Sequence, residues 1–265
     1  MSTSRWIDLD GVVNMRDVGG LPTTDGGTVA TGRLLRSDNL QDLSDADIDH
    51  LVEVVGVSDI VDLRSNVEVH IEGPAPLQAR GLATHHRYSL FRDDEREITA
   101  EDALVVPWSK KNQKAADARP RLDDDYWASH YLGYLADRPD SVLGALEVIA
   151  RAPGATIVHC AAGKDRTGTV VGLALSVAGV SDEDVVADYV ATGERIEQIV
   201  GRLMARPAYG EVLKDQPMDH HRPRPETMTR ILTVLAERHG GASGWLQDQG
   251  WSSDQVGELR GRLRA

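Results

Sequence analysis

The feature that most constrains the fold is a short apolar segment followed by a polar turn and then by a longer apolar segment. Residues Ala155–Val158 are apolar or β-branched, and the chain continues through His159, Cys160 and a turn that contains Gly163. Almost every residue in Val170–Val180 is apolar. A short apolar run beside a turn predicts a buried strand, and a longer one predicts a buried helix. This region therefore predicts a strand–loop–helix unit within a core.

The preceding chain predicts further strands in the same sheet. Arg33–Arg36 has the composition of a strand, and Ser58–Leu63 has the composition of the next one. Between them Ser44 is a helix cap, and Gly56 ends the helical pattern. Strand, helix and strand within about 30 residues favour a βαβ unit and a parallel sheet. The fold class is therefore predicted to be α/β, with Ala83–Tyr88 as an additional, weaker strand.

The spacing of these patterns favours one domain over residues 1–265. Two segments, 91–125 and 206–225, lack a regular pattern and are interpreted as irregular or lid-like decorations of that domain. Long segments of this kind are usually functional or mobile. Helical patterns occupy the remaining C-terminal part of the chain, around Trp127–Ile149, Ser181–Val190, Thr227–His239 and Ser252–Leu263.

Charge and cysteine content exclude several functional classes. The formal net charge is −13, which disfavours nucleic acid and anionic membranes as main partners, so an anionic substrate needs a local basic site. The single cysteine excludes an intrachain disulfide and a cysteine-rich zinc site. The run Val170–Val180 is much shorter than the about 20 residues that a membrane helix needs. No signal peptide is recognisable, so a cytoplasmic protein is expected.

The turn between the buried strand and the buried helix carries the chemistry. It reads His159-Cys160-Ala-Ala-Gly163-Lys-Asp-Arg166-Thr167-Gly168. A loop at a helix N-terminus directs several backbone N–H groups towards one point, where an anion is favoured. The same environment favours the thiolate form of Cys160. Arg166 has the fork that holds two phosphate oxygens, and Thr167 offers a hydroxyl to the sulfur.

Two other interpretations of this turn are weaker. A buried structural cysteine fits poorly, because Lys164, Asp165 and Arg166 in one short turn make an unfavourable apolar packing site. A nucleotide-binding phosphate loop needs Ser or Thr after the lysine, where this chain has Asp165, and a glycine where it has Val158. A nucleophilic cysteine in an anion-binding loop is therefore the favoured hypothesis.

This loop resembles the signature of cysteine-dependent protein tyrosine phosphatases, in the form found in bacterial tyrosine/serine phosphatases. Five further segments are similar to motifs of that family. They are Asn14–Gly20, Leu35-Arg36-Ser37 with Asp62–Ser65, Asp188-Tyr189, and Gly240–Leu246. The resemblance covers nearly the whole chain.

The resemblance implies an α/β phosphatase fold with a central, mostly parallel sheet, flanking helices and inserted helical or lid segments. It also implies that Cys160 attacks phosphorus, that Arg166 holds the phosphoryl oxygens, and that water hydrolyses a phosphocysteine intermediate. Substrate-binding residues are then those of the loop: Ala161, Ala162, Gly163, Lys164, Asp165 and Thr167. No metal or other cofactor is expected, and the 206–225 segment is the candidate lid.

Alternative roles remain open for three side chains of the loop. Lys164 either binds a second phosphate, as in relatives that accept phosphoinositides, or is a solvated loop lysine. Asp165 either acts as an acid or base or, as we favour, fixes the loop by pairing with a nearby arginine. His159 either favours the Cys160 thiolate or, as we favour, lends a ring N–H to the loop backbone.

Residues outside the loop are expected to support it. Arg36 and Arg64 stand at predicted strand ends and are interpreted mainly as salt-bridge scaffolding, and Asn14–Asp17 as an anchor for the N-terminal strand. The adjacent histidine pairs His85-His86 and His220-His221 project to different faces, so we do not expect them to bind metal.

The leaving group needs a proton donor, which the resemblance implies in the loop after the strand at Ala83–Tyr88. The family's proline-flanked aspartate is not reproduced in that loop. We select Asp93 as the first carboxylate after the strand, with Asp94 as the second choice and Asp165 as the third. A solvated acidic loop without catalytic role is the competing interpretation.

These features favour a protein tyrosine phosphatase, with phosphoserine, phosphothreonine and phosphoinositides as further candidate substrates. Its partners are then a phosphorylated protein or a phosphorylated small molecule or lipid headgroup, with phosphate or another oxyanion held by residues 160–166. The alternatives are a small-metabolite phosphatase, a non-catalytic phospho-binding module and a sulfurtransferase. Both Cys160 and Arg166 are present, which disfavours the binding module, and Gly163, Arg166 and Thr167 together favour phosphoryl transfer.

Overall fold

Five strands form one sheet in the order β1-β2-β5-β3-β4, in a computed structural model that describes residues 4–92 and 120–265. The strands are β1 (Arg16–Asp17), β2 (Leu34–Ser37), β3 (Val57–Asp62), β4 (Thr84–Arg87) and β5 (Ala155–His159). The short β1 is antiparallel to β2, and the remaining pairs are parallel. The predicted α/β class with a mostly parallel sheet is confirmed.

Helices surround this sheet. They are α1 (Asp45–Asp49), α2 (Asn66–Glu72), α3 (Pro76–Ala79), α4 (Tyr126–Asp137), α5 (Pro139–Arg151), α6 (Asp165–Ala178), α7 (Asp182–Ala191), α8 (Ile196–Met204), α9 (Gly210–Leu213), α10 (Pro225–His239), α11 (Ala242–Asp248) and α12 (Ser253–Leu263). The π-helical turn His50–Val55 extends α1, and the 3₁₀ turns Thr192–Arg195 and Met218–His220 precede α8 and α10.

Both faces of the sheet are buried because successive residues of a strand point to opposite sides. In β2, Leu34 contributes to one apolar cluster and Leu35 to another. The neighbouring strands β3 and β5 divide their apolar residues in the same way. The first cluster packs against α4–α7 and the C-terminal helices, and the second packs against α1 and α3. A sheet covered on both sides explains why its strands are nearly continuous apolar runs.

The predicted elements are found within one or two residues of their expected ends. Ser44 caps α1 through a capping box, and Gly56 ends the following turn with φ of 75°. Ser181 and Ser252 cap α7 and α12 as their sequence patterns indicate. The segment 206–225 contains the short helix α9 and a 3₁₀ turn, and Tyr209 within it is buried. Its role as an irregular or lid-like decoration stays a prediction.

The parallel strands β2, β3, β4 and β5 end at the same edge of the sheet, which is where open α/β sheets bind ligands. A third apolar cluster covers this edge. It joins Ala161 to α8 and to the chain that follows it, through Ile196, Ile199, Val200, Leu203, Ala208 and Tyr209. Within the described ranges, no helix is both long and apolar enough to cross a membrane.

Candidate active site

The loop between β5 and α6 lies at the carboxyl edge of the sheet. Cys160 follows directly after β5 and is only 2% exposed, and α6 begins five residues later at Asp165. The strand is fully buried, and the helix is buried along almost its whole length. Both ends of the loop are therefore fixed by the core, as expected from the strand–loop–helix pattern of the sequence.

The carbonyl groups of the loop are bound by neighbouring residues. Asn39 donates its backbone N–H to the carbonyl of Ala161 over 2.9 Å. The Asn14 side chain donates to the carbonyl of Ala162 over 2.9 Å. Arg36 donates through Nη2 to the carbonyl of Gly163 over 2.8 Å. These contacts turn the carbonyls away from the loop's interior.

The backbone N–H groups of residues 161–165, unlike the carbonyl groups, have no hydrogen-bond partner in the described chain. Orphan N–H groups at the start of a helix favour a bound anion, both through hydrogen bonds and through the helix dipole. We call this row of N–H groups, from Ala161 to Asp165, the anion cradle.

The path of the loop requires glycine at position 163. Gly163 has φ of 65°, in the left-handed region that residues with a Cβ atom rarely adopt. A Cβ atom at this position would also lie 2.4 Å from the carbonyl oxygen of Ser37. The loop therefore packs directly against the end of β2.

A buried ionic network anchors the loop from below. Asp188 on α7 accepts from Arg16 Nε at 3.2 Å and from Arg36 Nη1 at 2.7 Å. Burial disfavours the charged carboxylate, but the arginines outweigh it and hold the pKa of Asp188 well below its usual range. Burial lowers the pKa of Arg16 to about 9. Arg16 also donates to Asn14 Oδ1 at 2.7 Å, so the predicted anchor at Asn14–Asp17 reaches the cradle.

Arg166 is held by a carboxylate that is not among the residues predicted for the site. Its Nη1 and Nη2 atoms lie 2.6 and 3.0 Å from the two oxygens of Glu68, which is fully buried on α2. Burial opposes the guanidinium charge, but Glu68 raises the pKa of Arg166 well above its ordinary value. The ring of Phe91 lies 5.0 Å from the guanidinium carbon. The plane of the Arg166 guanidinium is thereby fixed beside the cradle.

Glu68 has two further partners besides Arg166. It accepts from the backbone N–H of Ser65 in a capping box at the start of α2, and from the Tyr209 hydroxyl over 3.1 Å. The spacing Ser65-x-x-Glu68 is a recognisable signal for a helix start. It predicts the helix but not the contact with Arg166, which joins residues 98 positions apart.

Lys164 is not a solvated loop lysine, which was one of the two alternatives. It is 8% exposed, and its Nζ donates to the carbonyl of His221 over 2.8 Å. The same ammonium lies 3.3 Å from Asp165 Oδ1. Lys164 therefore joins the signature loop to the 206–225 segment.

Asp165 pairs with Lys164 and with the Tyr131 hydroxyl, and no arginine of the described chain takes the place of the expected partner. Burial raises the pKa of Asp165, but Lys164 and the hydrogen bond from Tyr131 outweigh it, so this pKa lies below its ordinary value. Asp165 is thus a carboxylate near neutral pH, which suits a structural role better than proton donation.

His159 contacts the loop backbone as expected. Its Nδ1 lies 3.3 Å from the carbonyl of Cys160, which can only accept, so Nδ1 carries the proton. Burial lowers the pKa of His159 to about 4, so the ring is neutral near pH 7. Thr167 is fully buried and its hydroxyl makes no hydrogen bond within the described chain, while its predicted contact with the sulfur stays a prediction.

Among the described residues, Asp62, His85 and His159 place three potential metal ligands within 4.8 Å of one another. Arg64, however, donates hydrogen bonds to both oxygens of Asp62, from Nη2 to Oδ2 over 2.7 Å and from Nε to Oδ1 over 2.9 Å. A cation at this position would lie beside a buried guanidinium. The contacts therefore fit the predicted scaffolding role of Arg64 better than a metal centre.

The predicted proton donor, Asp93, and its alternative Asp94 lie outside the described residues. The first residues of their loop, up to Arg92, are described. They lie beside the site, because Phe91 stacks on Arg166. The Phe91 carbonyl accepts from Arg138 over 2.8 Å, and Arg92 pairs with Asp137 over 2.7 Å. The end of α4 thus holds the chain up to residue 92.

Comparison with known proteins identifies one family. A model of the tyrosine phosphatase family matches residues 7–265. The triple specificity protein phosphatase PtpB of Mycobacterium tuberculosis (strain ATCC 25618 / H37Rv) is 28% identical over 279 residues, covering 97% of this chain and 98% of that protein. A tyrosine-protein phosphatase of Nostoc commune is 29% identical over 237 residues, covering 86% of this chain and 73% of that protein.

A solved structure is also similar. It is the core catalytic domain of the PP-IP phosphatase SIW14 from S. cerevisiae, with a TM-score of 0.37 and 13% identity over 90% of this chain and 98% of that one. The family match spans both described parts of the chain and includes the anion cradle.

Proposed function

This chain belongs to the tyrosine phosphatase family and is a phosphoric monoester hydrolase, and from that premise we propose that Cys160 is its nucleophile. The anion cradle carries this proposal. Cys160 stands at the head of a row of orphan N–H groups, beside a guanidinium whose orientation is fixed by Glu68. Such donors stabilise charge that develops on phosphoryl oxygens in the transition state.

The proposed reaction has two steps. The Cys160 thiolate attacks phosphorus, the bond from phosphorus to the leaving oxygen breaks, and that oxygen takes a proton from a general acid. Water then attacks the phosphocysteine, which releases phosphate and regenerates the thiolate. Arg166 and the backbone of Ala161–Asp165 hold the phosphoryl oxygens in both steps, and the Thr167 hydroxyl donates to the sulfur when sulfur leaves.

Asp93 is our proposal for the general acid, with Asp94 as the alternative. It is supported by the neighbouring Phe91, which contacts Arg166, and by the lowered pKa of Asp165, which disfavours that residue as a proton donor. Asp93→Ala should slow poor leaving groups far more than activated aryl phosphates. If it slows both equally, Asp94 should be tested in the same way.

We also propose a substrate range broader than phosphotyrosine, including phosphoserine, phosphothreonine or phosphoinositides. The support is that the relative from M. tuberculosis is named a triple specificity phosphatase. Phosphorylated proteins and lipid headgroups are therefore the proposed partners. The cytoplasm is the proposed location, because the single thiol must stay reduced to act.

A substrate panel with two variants tests the proposed nucleophile. Cys160→Ser should bind phosphate analogues but lose nearly all turnover, because an alcohol is not ionised near neutral pH. Arg166→Lys should also be badly impaired, because it keeps the charge but loses the two-point grip. Substantial turnover by Cys160→Ser on phosphopeptides, phosphoinositides or sugar phosphates would rule out the assignment.

A further inference from the structure

Asp165 presents an electrostatic problem in a loop that binds phosphate. It is the first residue of α6 and part of the anion cradle, yet its lowered pKa keeps it negatively charged near neutral pH. A carboxylate that faced the cradle would repel a phosphate dianion. Phosphate binding is therefore favoured when another group holds the Asp165 carboxylate away from the anion cradle.

The hydroxyl of Tyr131 on α4 makes that contact. Tyr131 is 2% exposed, and its hydroxyl donates to Asp165 Oδ1. The same hydroxyl lies 3.0 Å from the hydroxyl of Tyr189 on α7. The Tyr131 ring is also packed between aromatic neighbours, with ring centroids 5.9 Å from Tyr134 and 6.4 Å from Tyr189. The donor is thus held in place from two helices.

We propose that Tyr131 is a positioning residue, which holds the Asp165 carboxylate against α4 and so keeps its charge out of the anion cradle. The proposal rests on the proposed function, since the ligand it concerns is the phosphoryl group. Lys164 complements Tyr131, because its ammonium lies 3.3 Å from the same carboxylate oxygen. The two donors therefore act on the same Asp165 oxygen.

The other titratable groups that act on Asp165 come from three elements. His130 and Tyr134 belong to α4, as Tyr131 does, Tyr189 belongs to α7, and His221 belongs to the segment bound by Lys164. Burial and Asp165 raise the pKa of Tyr131 well above its usual value, so its hydroxyl stays protonated and remains a donor across the working pH range.

The test compares phosphate binding by wild type and Tyr131→Phe. We expect the Kd of inorganic phosphate, measured by calorimetry at pH 7, to rise about tenfold, as for a lost hydrogen bond to a charged group. The difference should shrink as the pH falls, because protonated Asp165 no longer repels the anion. Binding is measured at equilibrium, so the result is independent of whether Cys160 is the nucleophile.

Two further variants separate positioning from packing. Tyr189→Phe removes a hydroxyl from the same buried network without touching Asp165, and should change the Kd less than about twofold. In an Asp165→Asn background, Tyr131→Phe should have almost no effect on the Kd of phosphate, because the side chain at position 165 then carries no negative charge. An unchanged Kd in Tyr131→Phe, or an equal loss in the Asp165→Asn background, would overturn the proposal.

A second measurement applies if Tyr131→Phe does not fold. Incorporation of 3-fluorotyrosine at position 131 keeps the ring and makes the hydroxyl a stronger donor. It should lower the pKa of Asp165, followed by carbon NMR of the carboxyl group, whereas the same substitution at position 189 should not. An Asp165 titration that is unaffected by fluorination at 131 would also overturn the proposal.

Discussion

At the scale of single residues, the contact that most directly shapes the site is the two-point ion pair between Arg166 and Glu68. The pair is buried on both sides, with Glu68 fully inaccessible. A buried ion pair is weak evidence for stability, because desolvation offsets the attraction. Its clearer effect is geometric, since it fixes the plane of the guanidinium that we propose grips the phosphoryl group.

Replacement of Glu68 tests this effect. Glu68→Gln should lower kcat/KM by about a hundredfold, because the amide cannot accept from both guanidinium nitrogens and Arg166 loses its fixed plane. Steady-state kinetics with an aryl phosphate, together with a folding check by circular dichroism, measure this change.

Glu72 supplies the matched control one turn later on α2. Its side chain is also buried but binds Arg206 at 2.6 Å and the backbone of Ala208. Glu72→Gln should lower stability and leave kcat/KM within about threefold of wild type. Equal kinetic losses in the two variants would show that α2 matters only as a whole and not through the Arg166 contact.

The residues that sequence reasoning identified differ from those it missed in one respect. Cys160 and Arg166 lie in one continuous motif, so their relation is visible in the chain itself. Glu68 and Tyr131 act on the loop from 98 and 34 positions away. Their roles depend on how α2 and α4 pack, and a Glu in a capping box or a Tyr in a helix gives no separate signal for such a contact.

At the scale of elements, the backbone path of the loop between β5 and α6 requires a glycine at position 163. The conformation of α8, in contrast, does not require its glycine at position 201. Gly163 has a positive φ and no room for a Cβ atom. Gly201 lies exposed within α8, and nothing lies within 4 Å of the position of a Cβ atom there. The same substitution should therefore have opposite effects at the two sites.

Gly201→Ala should stabilise the protein by about 0.5–1 kcal/mol, because alanine loses less backbone entropy in a helix. Gly163→Ala should destabilise it and abolish phosphate binding, because the loop cannot keep its path. Urea unfolding and phosphate calorimetry measure both effects. Wild-type phosphate affinity in Gly163→Ala would contradict the proposed role of the loop geometry.

Sequence patterns predicted the long elements better than the short ones. Strands β2, β3 and β5 and helices α6, α7, α10 and α12 carry clear periodicity or caps and are confirmed. The two-residue β1 and the short helices α2 and α3 contain too few residues for a period to show. The π-helical turn after α1 was also missed, because its apolar residues fit an ordinary helical spacing.

At the scale of the whole molecule, an acidic chain buries several arginines in its interior. The net charge is −13, yet Arg16, Arg36 and Arg64 are among the largest fully buried side chains. They pair with Asp188 and Asp62 below the cradle. The sequence suggested scaffolding for Arg36 and Arg64, but which carboxylates they meet follows only from the sheet order, which brings distant segments together.

The buried ionisable groups predict how stability depends on pH. The pKa of His159 is lowered to about 4 in the folded protein by burial, so the unfolded chain binds the proton more readily. Stability from this group is complete above about pH 6.5 and is lost as the pH falls towards 4. Asp188 and Asp62, with lowered pKa values, lose their contributions only at still lower pH.

The free energy of unfolding, measured by urea titration between pH 4.5 and about 6, should therefore rise by about 1.4 kcal/mol per pH unit through His159 alone. In His159→Gln this contribution should disappear, so the two curves should diverge as the pH increases. Parallel curves for the two proteins would mean that His159 is not held neutral by the fold.

We propose that this chain hydrolyses phosphomonoesters through a covalent intermediate on Cys160. Rapid acid quenching during turnover of an aryl phosphate, followed by mass spectrometry of the intact protein and its peptides, tests it most directly. We expect one phosphoryl group per chain during turnover, located on Cys160 and absent from Cys160→Ser. Turnover without a phosphorylated protein, or a phosphoryl group on another residue, would contradict it.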